Sequence, residues 1–139
     1  MTIQRTLCII KPDAVEQRRA GDIIQRILVE GFRILGMRQV SLSKAQAEAF
    51  YAVHRERPFF GPLVNFMVSG PIVVVALEAE SAVSRWRDLI GATDPAKAAE
   101  GTLRRKYGRS LSENAVHGSD SEENGRSECA FFFSGIELL

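Results

Sequence analysis

The segment that decides the fold is Pro71-Ile72-Val73-Val74-Val75-Ala76-Leu77-Glu78. It is a continuous apolar run that is rich in β-branched residues. A strand with one face in water alternates apolar and polar residues, whereas this run has no such alternation. We therefore predict a strand that is buried on both faces and lies at the centre of its sheet.

Further strands and helices are predicted on either side of this run by the spacing of apolar residues and by capping residues. The predicted strands are residues 6–10, 33–42, 71–78 and 130–133. The predicted helices are residues 21–32, 44–54, 63–67, 81–90 and 122–129, and a further turn begins at Asp94 and Pro95. The helix over residues 44–54 opens with a capping box formed by Ser43 and Gln46.

The order of these elements predicts the fold class. With the shorter helices set aside, the order is βαββαβ, which is the ferredoxin-like arrangement of α+β proteins. We expect a four-stranded antiparallel sheet covered by helices on one face, with extra short helices and a long loop before His117. The connection over residues 91–120 has little regular structure of its own, and such loops usually carry function.

Length and charge limit the possible functions. A chain of 139 residues with 45% hydrophobic content has the size of one globular domain, which we assign to residues 1–139. The net charge of +1 gives no overall attraction to nucleic acid or to anionic membranes, so neither is an expected partner. Because the N-terminus lacks a signal-peptide pattern and the apolar runs are too short to span a bilayer, we expect a cytoplasmic protein.

The two cysteines, Cys8 and Cys129, point to packing and not to chemistry. Two cysteines are too few for a disulfide framework, and neither has neighbours at the spacing of a zinc site. We expect both to be reduced thiols that pack as small apolar residues.

The segment with the strongest chemical character is Asn114-Ala115-Val116-His117-Gly118-Ser119-Asp120-Ser121. A single histidine in a polar loop is more often a solvated surface group than a catalyst. Here, however, Gly118 allows the backbone to approach a ligand closely or to take a positive φ, and the following serines and aspartate are good helix N-caps. Since the N-terminus of a helix binds phosphate well, His117 is a candidate nucleophile for a phosphoryl group.

The groups that would hold phosphate have to be side chains, because the chain has no Gly-rich Walker loop. Lys11 at the end of the first strand, Arg87, Thr93 and Arg104 are the candidates. Lys11 has an ordinary surface lysine as its alternative, and the basic run that contains Arg104 has a solvated face as its alternative. Phe59 is a candidate stacking surface for a planar ligand, with a core position as the alternative.

Several segments, in this order along the chain, resemble those of the nucleoside diphosphate kinase family over essentially the whole length of the sequence. They are Ile10-Lys11-Pro12-Asp13-Ala14, Arg57-Pro58-Phe59-Phe60, Ser69-Gly70-Pro71, Gly91-Ala92-Thr93-Asp94-Pro95, Gly101-Thr102-Leu103-Arg104 and the octet that contains His117.

The resemblance implies a ping-pong enzyme. In that reading the γ-phosphoryl group of a nucleoside triphosphate, mainly ATP, passes to the ring nitrogen of His117 nearer the backbone and then to a nucleoside diphosphate. Glu128 matches the carboxylate that orients the imidazole, and Ser119 lies beside it. Lys11 completes the catalytic set.

The resemblance also implies a nucleotide site. Its phosphate ligands are Lys11, Tyr51, Arg87, Thr93 and Arg104; Lys11 and Asn114 meet the ribose, and Phe59 and Leu111 face the base on its two sides. Stacking without hydrogen-bonded readout implies broad base tolerance, since every base has a π-face. Mg²⁺ is the expected cofactor and is held by the nucleotide phosphates without a direct protein ligand, although Asp120 could reach it through water.

Family members form homo-oligomers, so the resemblance implies one here as well. We expect a tetramer, with a hexamer or a dimer as alternatives. Two features depart from the family pattern: the strongly basic run over residues 104–108, and Gly125, which stands where alanine is common and should cost its helix roughly 1 kcal/mol.

Three other functions compete with this interpretation. A nucleotide-binding or DNA-binding regulator of the same fold would not need the full set of candidate catalytic residues. A phosphorelay module would need a docking surface more than a stacking slot. A hydrolase built on Ser119, His117 and Asp120 is unfavoured, because neighbours in one loop do not supply triad geometry.

Overall fold

A four-stranded antiparallel sheet organises the computed structural model, which describes residues 2–139. Its strands, β1 to β4 in chain order, are Ile3–Ile10, Arg33–Val40, Ile72–Glu80 and Val116–His117. Their order across the sheet is β2-β3-β1-β4. The apolar run over residues 71–78 therefore does form a central strand, β3, which pairs with β2 on one side and β1 on the other. The predicted α+β, ferredoxin-like fold is confirmed.

Seven α-helices of the described chain, α1 to α7, are Pro12–Glu16, Ala20–Val29, Lys44–Phe50, Phe60–Met67, Ala82–Ile90, Leu103–Tyr107 and Glu122–Phe132. Short 3-10 helices are formed by Ala52–His54, Pro95–Lys97 and Gly135–Leu138. The predicted capping box is present, because the side chains of Ser43 and Gln46 each accept a hydrogen bond from the other's backbone N–H. Within residues 2–139, no helix is both long enough and apolar enough to cross a membrane.

Apolar residues of β3 enter two separate hydrophobic clusters because successive side chains of a strand point to opposite faces. Val73 and Val75 lie in the cluster that also contains Ile27 of α2 and Trp86 of α5. The other cluster contains the alternate residues of β3 together with buried residues of α3, α4 and α7. Helices thus cover both faces of the sheet, and the prediction of helices on one face was wrong.

The predicted packing role of the cysteines is confirmed. Cys8 belongs to the first cluster and Cys129 to the second, and both are buried free thiols. Burial raises the pKa of each thiol, to about 12 for Cys129. Both side chains are therefore uncharged at neutral pH.

The predicted last strand, residues 130–133, was wrong. Helix α7 continues through Phe132, and the fourth strand is Val116–His117, which pairs with Ile9 and Ile10. Phe131 and Phe132 each lie with their ring centroids 5.3 Å from that of Phe50. This aromatic contact forms on a helix, so tertiary packing overrides the β-propensity of consecutive phenylalanines.

Gly125 places α7 close to β1. A Cβ at this position would lie 2.1 Å from the carbonyl oxygen of Arg5, which is a backbone atom of β1. Sequence reasoning treated Gly125 only as a weak point of its helix. In the structure, its missing side chain is what allows the helix to lie directly against the strand.

Two helical glycines should respond in opposite ways to replacement by alanine. Gly21→Ala should raise the free energy of unfolding by up to ~1 kcal/mol, because no atom lies within 4 Å of its Cβ position and alanine favours the helix. Gly125→Ala should lower it by about 1–3 kcal/mol, because the new Cβ meets backbone that cannot swing away. Urea denaturation followed by circular dichroism measures both changes, and equal stabilisation by the two would contradict the close contact of α7 with β1.

Candidate active site

Strand β4 fixes the backbone of His117 at the edge of the sheet. His117 is the partner of Ile9 in the ladder between β1 and β4, and its carbonyl oxygen accepts a hydrogen bond of 3.0 Å from Trp86 Nε1. A Cβ on Gly118 would lie 2.8 Å from Trp86 Cδ1. Gly118 is not among the residues with positive φ. Its missing side chain makes room for Trp86, and the predicted close approach to a ligand stays a prediction.

The imidazole of His117 is oriented by a carboxylate. His117 Nε2 lies 2.7 Å from Glu128 Oε1, and the same oxygen accepts a hydrogen bond of 2.8 Å from Ser119 Oγ. Ser119 Oγ in turn accepts from the backbone N–H of Leu7 at 3.0 Å. Because an ionised carboxylate only accepts, Nε2 carries the ring proton in this arrangement, and Nδ1 keeps its lone pair in the neutral ring.

A hydrolytic triad is not formed by the three candidate residues. Ser119 Oγ donates to Glu128 and not to His117. The side chain of Asp120 accepts a hydrogen bond from Asn124 Nδ2. Neither contact activates a serine nucleophile.

Lys11 is buried, which excludes the ordinary surface lysine considered as its alternative. It is 7% exposed, and its Nζ donates a hydrogen bond of 2.8 Å to Asn114 Oδ1. Asn114 Nδ2 donates to the carbonyl oxygen of Thr93 at 3.0 Å. Burial and, to a smaller extent, the positive charge of Arg104 lower the pKa of Lys11 to about 8, although the negative charge of Asp13 opposes both effects.

Arg104 is buried as well, although it belongs to a basic run. Its Nη1 donates to the carbonyl oxygen of Gly91 and its Nη2 to that of Val116, each at 3.0 Å. Burial, aided by the charge of Arg87, lowers the pKa of the guanidinium to about 10. The solvated face predicted as its alternative is therefore wrong for Arg104. This side chain ties the loop after α5 to β4.

Three of the predicted phosphate ligands share one cavity. Arg87, Thr93 and Arg104 line a space of about 480 Å³, together with Lys97. Sequence reasoning missed Lys97, although it follows closely on the segment Thr93-Asp94-Pro95 that it did single out. One carboxylate, that of Asp88, also lines the cavity, and the three cationic side chains outnumber it, so the concave surface is suited to an anionic ligand.

The remaining candidates lie around the site in different environments. Tyr51 is 7% exposed, and its hydroxyl has no partner within residues 2–139. Burial raises the pKa of this phenol, and the charge of Glu128 adds to the effect. Phe59 and Leu111 are 48% and 61% exposed, so both are available to a ligand, and the Phe59 ring lies 5.2 Å from that of His54.

The described residues hold no ready-made metal site. Within residues 2–139, no group of three or more His, Cys, Asp or Glu side chains could bind a metal ion. Asp120 lines a neighbouring groove with Asp88 and Glu122, and not the phosphate cavity itself. Arg87 and Asp88 are common to both spaces.

A ferredoxin-like fold that sets an oriented histidine and buried cations beside a cation-lined cavity defines a phosphate-handling enzyme. The sequence model of the family described as "Nucleoside diphosphate kinase" matches residues 4–138. A nucleoside diphosphate kinase of Pelobacter propionicus is 55% identical over 137 residues, which cover 99% of this chain and all of that protein. One from Rhodopseudomonas palustris, strain BisB5, is 52% identical over 139 residues, covering 100% of this chain and 99% of that protein.

Solved structures agree with the sequence comparison. A crystal form of the Aquifex aeolicus nucleoside diphosphate kinase matches with a TM-score of 0.96 and 44% identity, covering 99% of this chain and 100% of that one. The Halobacterium salinarum enzyme, in complex with CDP, matches with a TM-score of 0.94 and 38% identity over 99% and 92% of the two chains. The chain belongs to the nucleoside diphosphate kinase family, and it is an enzyme of the phosphotransferase class.

The lowered pKa of Lys11 predicts a pH dependence for the binding of a phosphate-bearing ligand, with ADP as the probe. Below about pH 8 the ammonium is charged, and as the pH rises through that value the charge is lost. The dissociation constant for ADP should therefore increase between pH 7.5 and 9.5, a range well above the phosphate pKa of ~6. Calorimetric titration measures it.

Lys11→Gln is the matched variant for this measurement. It should bind ADP more weakly than the wild-type protein at pH 7.5 and lose the dependence on pH. An affinity for ADP that does not change with pH in the wild-type protein, or that falls with pH by the same factor in the wild-type protein and the variant, would contradict a role for the Lys11 charge.

Proposed function

We propose that this protein transfers the γ-phosphoryl group of a nucleoside triphosphate, mainly ATP, to a nucleoside diphosphate through a phosphohistidine on His117. The observation that carries the proposal is the 2.7 Å contact between His117 Nε2 and Glu128 Oε1. It commits Nε2 to the carboxylate and leaves Nδ1, the ring nitrogen nearer the backbone, as the nucleophile. The side chains of His117 and Glu128 are 18% and 23% exposed, so a ligand can reach the ring.

The first half-reaction needs no proton transfer from the ring. The lone pair of Nδ1 forms a bond to the γ-phosphorus as the bond from that phosphorus to the bridging oxygen breaks, and the electron pair leaves with the nucleoside diphosphate. The imidazole gains positive charge, which Glu128 stabilises through Nε2–H, while Ser119 holds the carboxylate in place. In the second half-reaction, a terminal phosphate oxygen of another nucleoside diphosphate forms a bond to the phosphorus as the bond from Nδ1 to that phosphorus breaks. The electron pair of the broken bond returns to Nδ1 and restores neutral His117.

Phosphate binding is assigned to Lys11, Tyr51, Arg87, Thr93 and Arg104. A loose phosphoryl transition state spreads negative charge over the equatorial oxygens, so cations held in place before the reaction lower its barrier. Lys11 and Arg104 meet this requirement because each is anchored by hydrogen bonds inside the protein. The raised pKa of Tyr51 keeps its hydroxyl protonated, as a donor to a phosphate oxygen.

Ribose and base binding are assigned to four side chains. Lys11 and Asn114, already joined by a hydrogen bond, face the ribose hydroxyls. Phe59 and Leu111 are exposed apolar groups that enclose the base. Because stacking uses the π-face that every base has, the site accepts nucleotides with different bases.

Mg²⁺ is the proposed cofactor and is carried by the substrate. The cavity is lined mainly by cationic side chains, and within residues 2–139 no group of three or more His, Cys, Asp or Glu side chains could bind a metal ion, which suits an ion held mainly by the phosphates. Asp120 is the carboxylate proposed to reach it through water. When bound, the ion neutralises phosphate charge, and the residues of this chain orient the nucleotide.

Assembly and location are part of the same proposal. Residues 1–139 form one domain of a cytoplasmic protein. The protein is a homo-oligomer, with a tetramer as the favoured assembly and a hexamer or a dimer as the alternatives. Exposed apolar residues support association: Met37 of the edge strand β2 is 51% exposed and Val29 of α2 is 72% exposed. The two free buried thiols suit a reducing compartment.

Phosphate labelling tests the mechanism. Incubation with Mg²⁺ and ATP labelled in its γ-phosphate should place an acid-labile, base-stable label on the wild-type protein, and an unlabelled nucleoside diphosphate should remove it. His117→Ala should take no label, because the attacking nitrogen is missing.

His54→Ala is the matched control, since the chain has two histidines. It should keep the label. Wild-type protein without label, or equal label on His117→Ala, would refute a phosphohistidine at this position.

A further inference from the structure

Ala115 adopts a backbone conformation that alanine rarely takes. Its φ is +74°, and the N–H of Val116 donates a hydrogen bond of 2.9 Å to the carbonyl oxygen of Asn114. A hydrogen bond between residues i and i+2 defines a γ-turn, and the form whose central residue has φ near +75° is rare and strained. Such strain persists only where the surrounding structure holds it in place.

This turn joins the two sides of the proposed active site. Asn114, on one side, bonds to Lys11 Nζ and to the carbonyl oxygen of Thr93. On the other side the chain enters β4, which carries the nucleophile His117. The conformation of Ala115 therefore determines where the ribose-binding amide lies relative to the attacking nitrogen.

Both polar backbone groups of Ala115 are held by the junction of β1 and α1. Its N–H donates to Asp13 Oδ2 at 3.0 Å, and its carbonyl oxygen accepts from the N–H of Lys11 at 2.8 Å. Asp13 is 1% exposed, and its Oδ1 has no partner within residues 2–139. A buried carboxylate that is half unsatisfied is unfavourable for folding alone. The structure offers two partners for its charge in the site, the backbone N–H of Ala115 and the ammonium of Lys11, and only the first can hold the turn.

We propose that Asp13 is a positioning residue for phosphoryl transfer, which holds the left-handed turn at Ala115 and thereby sets His117 against the bound nucleotide. Asp13 acts through the backbone of Ala115 and does not itself touch the nucleotide. This inference rests on the proposed function of His117.

The test combines removal of the carboxylate with removal of the strain. Asp13→Ala should lower the rate of phosphoryl transfer from saturating ATP to His117 by about 10–100-fold, since small misplacements of reacting groups have effects of that size. The dissociation constant of ATP, measured at about pH 6 to keep Lys11 well below its pKa of about 8, should change by less than about threefold, because the anchors of Asn114 and the cation-lined cavity remain. Rapid-quench labelling measures the rate, and calorimetry measures the binding.

Ala115→Gly should restore the lost rate. Glycine takes positive φ without steric strain, so the turn no longer needs the carboxylate. Ala115→Gly alone should transfer phosphate at close to the wild-type rate, and the double variant Asp13→Ala with Ala115→Gly should recover most of the activity lost in Asp13→Ala. Asp22→Ala, which removes an exposed acid of α2, is the control and should leave the rate unchanged.

Two outcomes would overturn the inference. The first is an undiminished rate in Asp13→Ala, and the second is a double variant as slow as Asp13→Ala. If Asp13→Ala fails to fold, Asp13→Asn replaces it, since the amide oxygen can still accept from Ala115. Asp13→Asn should then lower the rate of phosphoryl transfer by less than Asp13→Ala would, and Ala115→Gly should restore that rate. A rate that Ala115→Gly does not restore, or an undiminished rate in Asp13→Asn, would overturn the inference. A wild-type protein without label on His117 would instead refute the proposed function.

Discussion

The contact between His117 Nε2 and Glu128 Oε1 is the interaction on which the proposed chemistry of this structure depends. At 2.7 Å it gives the imidazole one defined proton position and one free nitrogen. Its two partners come from different elements, β4 and α7, so the contact exists only if those elements meet correctly. Gly125 allows α7 to approach β1, and Ser119 ties the Glu128 carboxylate to the backbone of Leu7 in the same strand. The packing of α7 against the sheet thus fixes the orientation of the His117 ring.

Electrostatic preorganisation is the second constraint on the site. Lys11 and Arg104 are both largely buried, and both have lowered pKa values because burial disfavours the charged form. Arg104 bonds to two backbone carbonyls, and Lys11 bonds to Asn114. The folded structure therefore keeps these two cationic side chains in position before an anionic ligand binds. Such groups need little rearrangement when charge develops in a transition state.

Sequence patterns predicted the fold class because it depends on local signals. Local signals also pointed to His117 and to the candidate phosphate ligands Lys11, Arg87, Thr93 and Arg104, whereas Glu128, Tyr51 and Leu111 came only from the resemblance to the family. An unbroken β-branched run indicated the central strand β3, and the residue types of Ser43 and Gln46 predicted the capping box. The patterns failed at β4, since a strand as short as Val116–His117 has no periodicity to detect. They also failed at residues 130–133, where three phenylalanines favour a strand but contacts with Phe50 favour a helix. The role of Gly125 was hidden for a similar reason, because a close approach of two backbones appears only in three dimensions.

We propose that Nδ1 of His117 is the reactive atom because Glu128 holds the proton on Nε2. Nitrogen NMR of ¹⁵N-labelled protein tests it directly, by detecting which ring nitrogen carries hydrogen in the free protein and which is bonded to phosphorus after reaction with ATP. The structure predicts hydrogen on Nε2 in both states and phosphorus on Nδ1. Phosphorus on Nε2, or a neutral free ring protonated on Nδ1, would contradict this account.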